Sequence, residues 1–338
     1  MQPQRVSVKR IPYRDRRSFN PIEGVLDVEI VVCSQKIHGF DSYLFVSSGE
    51  EEVIFPAERL RELLGESRWN ESVLRRYANE IQIGRRAFQS LLDPRAGGRA
   101  YIIPGSSVKG NVKARLQLTL QPYGGTAIAC LYPARGLRAP PPKGSHGWRH
   151  YGVWKQSLQY DRGPPCNVTA DRNVCVVCNL FGAPGLSSII DFGTFYMRDG
   201  KLIQVGEGSE ELFAAEPGSR FHGSISFRGL GLHELGLLLI GMGYWLSGER
   251  AEAIPVLLGS HKYKGLGERI MGRVVYRVNY LKTSTRCSGG GVGSGSRYEG
   301  AELENILAKA LNAAYEEYRP YIRQVDEHRE ALRVMRAG

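Results

Sequence analysis

From Gly24 to Cys33 the chain reads GVLDVEIVVC, with Leu26, Val28, Ile30 and Val32 on one side and Asp27 and Glu29 on the other. A period of two over this length predicts a strand with one buried face. A polar stretch, SQKIHGFDSYLF, leads away from it. Between 57 and 92, ERLRELLG and ESVLRRYANEIQIGRRAFQSLL carry helical spacing and many arginines, and DPRAGGR breaks the pattern. Tyr101 to Ile103 then read as a short strand and Pro104-Gly105 as a turn. Val108, Val112, Leu116 and Leu120 recur every four residues, the stripe of a helix that buries one side. Ser106 or Ser107 suits its N-cap, and Lys109 and Lys113 lie on a neighbouring stripe.

The second half repeats the theme. RFHGSISF, Arg220 to Phe227, alternates as a strand; Leu232 to Leu246 reads as a helix; 265–273, GLGERIMGR, is a Gly-rich turn; Val274 to Tyr280 is again a strand. Two βαββαβ units of ferredoxin-like, RNA-recognition-like type account for this order, which makes the class α+β. The expected organisation places the first half of the core in 1–50 and 101–121, and the second half in 181–282. A helical insertion occupies 51–100, and a Pro/Gly-rich insertion with clustered cysteines occupies 122–180. A flexible linker, 283–300, precedes C-terminal helices in 301–338.

Composition narrows the partners. The 338 residues carry a formal net charge of +11, with Lys and Arg spread along the chain, which favours polyanions. No segment approaches the ~20 apolar residues of a membrane span. The longest apolar run, LGLLLIGMGYWL, is Gly-broken and follows His233 and Glu234. The basic amino terminus has no apolar signal core, so a cytoplasmic protein is expected, with no membrane partner.

Of the cysteines, Cys166, Cys175 and Cys178 are spaced C-x8-C-x2-C. In a long chain without a signal peptide this favours a metal over disulfides. Structural zinc needs a fourth ligand, for which His146, His150 and Cys130 are the candidates, with His146 placed first. An insertion so rich in Pro and Gly has little core of its own, and a metal would supply folding energy.

PGSSVKG is not a P-loop, because Lys109 precedes Gly110 and the hydroxyls precede the lysine. Helix N–H groups, Ser106, Ser107, Lys109 and Lys113 nevertheless suit a phosphate. In GSHKYKGLGERIMGR, Lys262, Lys264, Gly265, Gly267 and Arg269 make a candidate second cradle. His38 and Asp41, after the first strand, suit a divalent ion or the activation of a hydroxyl.

Four segments in order resemble CRISPR-associated RAMP proteins: IPGSSVKG, CVVCNLFG followed by IIDF, GSRFHGSISF, and KGLGERIMGR. The combination of CxxC with LFG is similar to the Csm-type backbone subunit of the subtype III-A effector complex. The resemblance implies a ferredoxin-like core that stacks, copy on copy and beside other subunits, along a CRISPR RNA. It implies that Ser106, Ser107 and Lys109 hold guide phosphates beside a loop formed by Gly265 and Gly267. It also implies cleavage of single-stranded target RNA by an aspartate after the first strand with a divalent ion such as Mg2+. Asp41, with His38 near it, is the matching position. Two other readings stay open: a non-catalytic RAMP subunit that caps the filament, and a zinc-stabilised scaffold with a generic basic surface.

Overall fold

The computed structural model describes residues 4–17, 22–33, 42–43, 51–54, 82–86, 89–131, 140–145, 147–205, 212–259, 262–263, 265–266, 269–285 and 292–336. The alternating segment forms β1, Ile22–Val32. Ile22, Leu26, Val28, Ile30 and Val32 are fully buried. Downstream come β2 (Ser90–Leu92), β3 (Arg99–Ile103) and helix α1 (Gly105–Thr119). Helices α2 (Trp148–Leu158) and α3 (Val176–Phe181) precede strands β4 (Ile190–Phe192) and β5 (Phe195–Asp199). Strand β6 (Arg220–Leu230) leads into α4 (Leu232–Met242) and the hairpin β7 (Tyr244–Ser247) and β8 (Arg250–Ala253). The chain ends with β9 (Val256–Leu257), β10 (Arg273–Thr283), β11 (Arg297–Tyr298), α5 (Gly300–Tyr318) and α6 (Glu327–Arg336).

One large sheet organises these elements, in the order β9-β10-β1-β6-β5-β3-β2, with β4 also on β6 and β11 also on β10. Every one of these pairings is antiparallel. The expectation of two separate βαββαβ halves is therefore corrected. The described core strands of both halves interleave in a single sheet, because β1 pairs with β6 along one edge and β10 along the other. With β2, β3, α2, α3 and β7–β9 set aside and β4–β5 counted as one, β1, α1, β4–β5, β6, α4 and β10 make a β-α-β-β-α-β succession.

Helices α1, α4 and α5 share the main apolar core with the buried side of β1: Val108, Val112 and Leu116, Leu235 to Ile240, and Leu303, Ile306, Leu307 and Leu311. Close approach of α4 and α5 depends on Gly236, where a Cβ would stand 2.0 Å from the Ala310 carbonyl oxygen.

The helical spacing expected between 57 and 92 falls mostly on residues 55–81, which lie outside the described residues; strands Gln82–Arg86 and β2 follow them. The helix expected to Leu246 ends at Met242, because Gly243 turns at φ +93° and Tyr244–Ser247 continues as a strand. Within 283–300, Arg297 and Tyr298 return to pair with Lys282 and Leu281. No helix among the described residues is long and apolar enough to cross a membrane.

The basic amino terminus runs along the 122–180 insertion. Gln4–Arg5 pairs with Tyr160–Asp161, Ser7–Val8 with Thr126–Ala127, and Ile11–Pro12 with Asn173–Val174.

Gly236→Ala should force α4 and α5 apart and lower the urea-unfolding free energy by about 1–3 kcal/mol. Gly110→Ala, in α1 with nothing within 4 Å of the added methyl, should instead raise it by roughly 0.5–1 kcal/mol.

Candidate nucleic-acid interface and metal centre

Helix α1 starts where β3 ends. Gly105 is pressed so closely against the β4–β5 turn that a Cβ would stand 2.1 Å from the Phe192 carbonyl oxygen. The N-cap is Pro104, and no side chain caps the helix. Ser106 and Ser107 lie inside the first turn and are exposed, rather than capping it. Two exposed hydroxyls beside an uncapped helix end suit an anion. Lys109 is half-buried; burial pushes its ammonium pKa down, against the attraction of Asp191. Lys113 turns elsewhere: its Nζ donates to the Gly182 carbonyl oxygen at 2.8 Å, bracing α1 on the segment after the cysteines.

The second basic segment folds as a small hairpin, Gly265–Leu266 against Arg269–Met271. Ile270 and Met271 pair in parallel with Ser42 and Tyr43. This places the Gly-rich segment beside the residues that directly follow Asp41. Asp41, His38, Lys264, Gly267 and His146 themselves lie outside the described residues. Lys262 is half-buried with its Nζ 5.7 Å from the centre of the Tyr263 ring, and burial pushes its pKa down.

Beneath this segment lies a polar cluster that the sequence reading missed. Arg115 and Glu327, each with a side chain under 5% exposed, pair at 2.5 Å. The signal was present in α1: Arg115 falls seven residues after Val108, on the apolar stripe, where an arginine needs a buried partner. His150 packs on the Tyr263 ring at 5.2 Å, away from the cysteines. Burial, with Lys262 nearby, pushes its imidazole down to about 4.

The cysteines converge. The Sγ atoms of Cys130, Cys166, Cys175 and Cys178 all lie within 4.8 Å of one another, and all four residues are buried. Cys130 Sγ is 3.5 Å from Cys178 Sγ and 3.6 Å from Cys175 Sγ. A tetrahedral ion with sulfur bonds of about 2.3 Å needs sulfurs about 3.8 Å apart, so the cluster has the size of such a site. The Cys175 amide donates to Cys166 Sγ at 3.2 Å, and the Cys178 amide points at Cys175 Sγ at 3.5 Å. Hydrogen bonds from Cys130 and its neighbours push the Cys166 thiol well down, while those around Cys178 push its thiol up. Four thiolates this close would repel one another, so ionising all of them calls for a cation among them. Arg10 lies against Cys166 and donates to the Pro164 carbonyl oxygen at 2.8 Å. The donor set and spacing therefore fit a metal held by four thiolates, with Cys130 where a histidine was expected.

No family model matches the sequence, and no curated protein matches it. Among solved structures, Csc2 of Thermofilum pendens is 13% identical with TM-score 0.35, over 96% of this chain and 85% of that one. Csm3 of Methanopyrus kandleri is 13% identical with TM-score 0.31, over 78% and 77%. A chain of a type IV-B CRISPR complex is 12% identical with TM-score 0.33, over 75% and 90%. Superpositions this loose carry no function across.

His328, 5% exposed, is held down to about 4 by burial and then by Arg273. Its unfolded value is about 6.5, so unfolding takes up a proton between those values, and stability falls as pH drops through that window. The loss should reach about 3 kcal/mol for His328, with His150 adding to it. Glu327 is also shifted down: burial opposes its ionisation, but Arg115 and Lys262 hold its pKa below the usual range. Its contribution is present above that range and is lost only at still lower pH. Urea titrations between pH about 7 and about 4 should show the decline, and His328→Gln should flatten it.

Proposed function

We propose that this chain is a CRISPR-associated RAMP protein that binds single-stranded guide RNA as a subunit of an effector complex, of the Csm type. The observation that carries the reading is the amino end of α1. An uncapped helix presents exposed Ser106 and Ser107, with Lys109 one turn on, in a segment whose sequence already resembles the family's IPGSSxKG element. The β-α-β-β-α-β succession in one antiparallel sheet supports reading the core as ferredoxin-like. A sugar-phosphate backbone would lie across the serines and Lys109 and continue to the basic segment around Gly265 and Arg269. Such contacts read phosphate rather than base, which suits a subunit that must accept any guide sequence.

We read the cysteine cluster as a structural zinc site of Cys130, Cys166, Cys175 and Cys178. Bound zinc would supply folding free energy and hold α3 against the end of the insertion.

For the RNA reading, the full chain is titrated with oligouridine at two salt concentrations. Lys109→Glu should weaken binding uniformly across sequences, and the salt slope should shrink by about 0.7 per lost phosphate contact. Lys113→Ala should lower stability with little change in affinity, because its ammonium bonds to Gly182. Unchanged affinity in Lys109→Glu combined with Ser106→Ala and Ser107→Ala would sink the assignment of α1.

For the metal reading, elemental analysis should find about one zinc per chain. Cys130→Ser should lose it, whereas His146→Ala and His150→Ala should keep it. Zinc lost with either histidine, or absent from the unaltered chain, would refute the four-thiolate set.

A further inference from the structure

Glu327 opens α6, far along the chain from the basic segment, yet its carboxylate is the point on which that segment rests. Its Oε2 accepts from Arg115 Nη1 at 2.5 Å and from the Leu257 amide at 3.1 Å. Its Oε1 accepts from the Tyr263 hydroxyl. That hydroxyl oxygen in turn accepts from Trp154 Nε1 at 2.9 Å, and Arg149 Nη1 donates to the Tyr263 carbonyl oxygen at 2.9 Å. Arg115 Nη2 reaches the Val325 carbonyl oxygen at 3.3 Å.

Two features make this more than a packed ion pair. Tyr263 has φ +72°, the only such residue other than glycine among those described. A side chain with a Cβ stays in that conformation only where its surroundings over-determine it. Here the ring, hydroxyl and carbonyl of Tyr263 are all held, and the hydroxyl's acceptor is Glu327. The second feature is where the contacts lead. They run from Glu327 to the basic segment, through Tyr263, to β9, through the Leu257 amide, and to α1, through Arg115. The same helix carries Ser106, Ser107 and Lys109 at its start. One carboxylate thus fixes the two candidate phosphate-binding elements relative to each other.

We propose that Glu327 is a positioning residue for RNA binding: through its bond to the Tyr263 hydroxyl it holds Tyr263 in place beside the Gly265–Leu266 and Arg269–Met271 hairpin, which would meet the backbone laid across α1. This rests on the RNA-binding reading above. An apolar residue of similar volume would stabilise α6 as well or better, since buried ion pairs are expensive to desolvate. The carboxylate is explained by the hydrogen bonds that it alone can accept from three elements at once.

The test uses the full-length protein, as Glu327→Gln and Tyr263→Phe, with two readouts. Amide hydrogen exchange is followed without RNA, and oligouridine affinity is measured alongside. Tyr263→Phe leaves the Arg115 pair intact, so it reports even where Glu327→Gln folds poorly. We expect exchange at 262–266 to quicken in both variants while β1 and β6 keep their protection. If the freed segment holds the competent shape about one-tenth of the time, the apparent Kd rises about tenfold. Unchanged exchange at 262–266 overturns the inference, as does exchange that quickens equally in the sheet, which marks general destabilisation. Quickened local exchange with unaltered RNA affinity overturns the role in binding. If the unaltered chain binds no oligouridine, the RNA reading fails, and quickened exchange at 262–266 then leaves Glu327 as anchor of that segment alone.

Discussion

The structure depends on β1 having no free edge. From Gly24 to Val31 the strand is paired on both sides, to β6 on one and to β10 on the other. An interior strand satisfies its N–H and C=O groups only if both neighbours arrive. Here those neighbours come from some 200 and 250 residues downstream, so the core cannot close until nearly the whole chain is present. Everything between must leave the sheet and return to it in register. That requirement shapes the connections: β3 hands the chain to α1, and the cysteine segment ends in α3, from which β4 re-enters the sheet beside β6.

The amino terminus shows how composition misleads when read alone. Its arginines look like a basic arm for a polyanion, yet they stitch the insertion to the core. Arg14 Nη2 bonds Glu234 at 2.6 Å, and Arg16 Nη2 donates to the Asn179 carbonyl oxygen at 2.7 Å. Arg162, wholly buried, donates to the Gln117 carbonyl oxygen at 2.6 Å and to the Ser157 hydroxyl at 2.5 Å. With Arg115 and Arg273 also inside, a net charge of +11 overstates the positive surface available to a ligand. Under the RNA reading proposed above, the contact would be local, at the exposed serines of α1.

Periodicity made the core strands and α1 legible. Leu26 to Val32 and Val108 to Leu116 each show one face at the correct period, and both faces are buried as read. Pairing was not legible, because alternation says which side of a strand is buried and not which strand lies beside it. That is why two apparent halves resolve into one sheet. The apolar run from Leu235 to Leu246 hid the stop at Gly243, since β7 is as apolar as the helix before it. Cys130 escaped first choice for a similar reason: spacing rules detect ligands that share a turn, whereas Cys130 reaches Cys166 only through the fold. Ser106 and Ser107 resemble a cap in sequence, but the fixed φ of Pro104 already sets the helix entry, which frees their hydroxyls.

Helix α1 is where these strands of argument meet, because each of its faces has an occupant. Val108, Val112 and Leu116 enter the main core, Lys113 braces the segment after the cysteines, and Arg115 pairs with Glu327 under the basic segment. Gly105 seats its first turn on the β4–β5 turn. A helix held on all these sides can neither roll nor slide, so its exposed positions, Ser106, Ser107 and Gly110, keep a fixed place. Under the proposed reading, a phosphate backbone meeting such a surface would pay little ordering entropy. The cysteine cluster, the C-terminal helix and the interior arginines then share one physical role. They stiffen the helix whose open end the nucleic acid would meet.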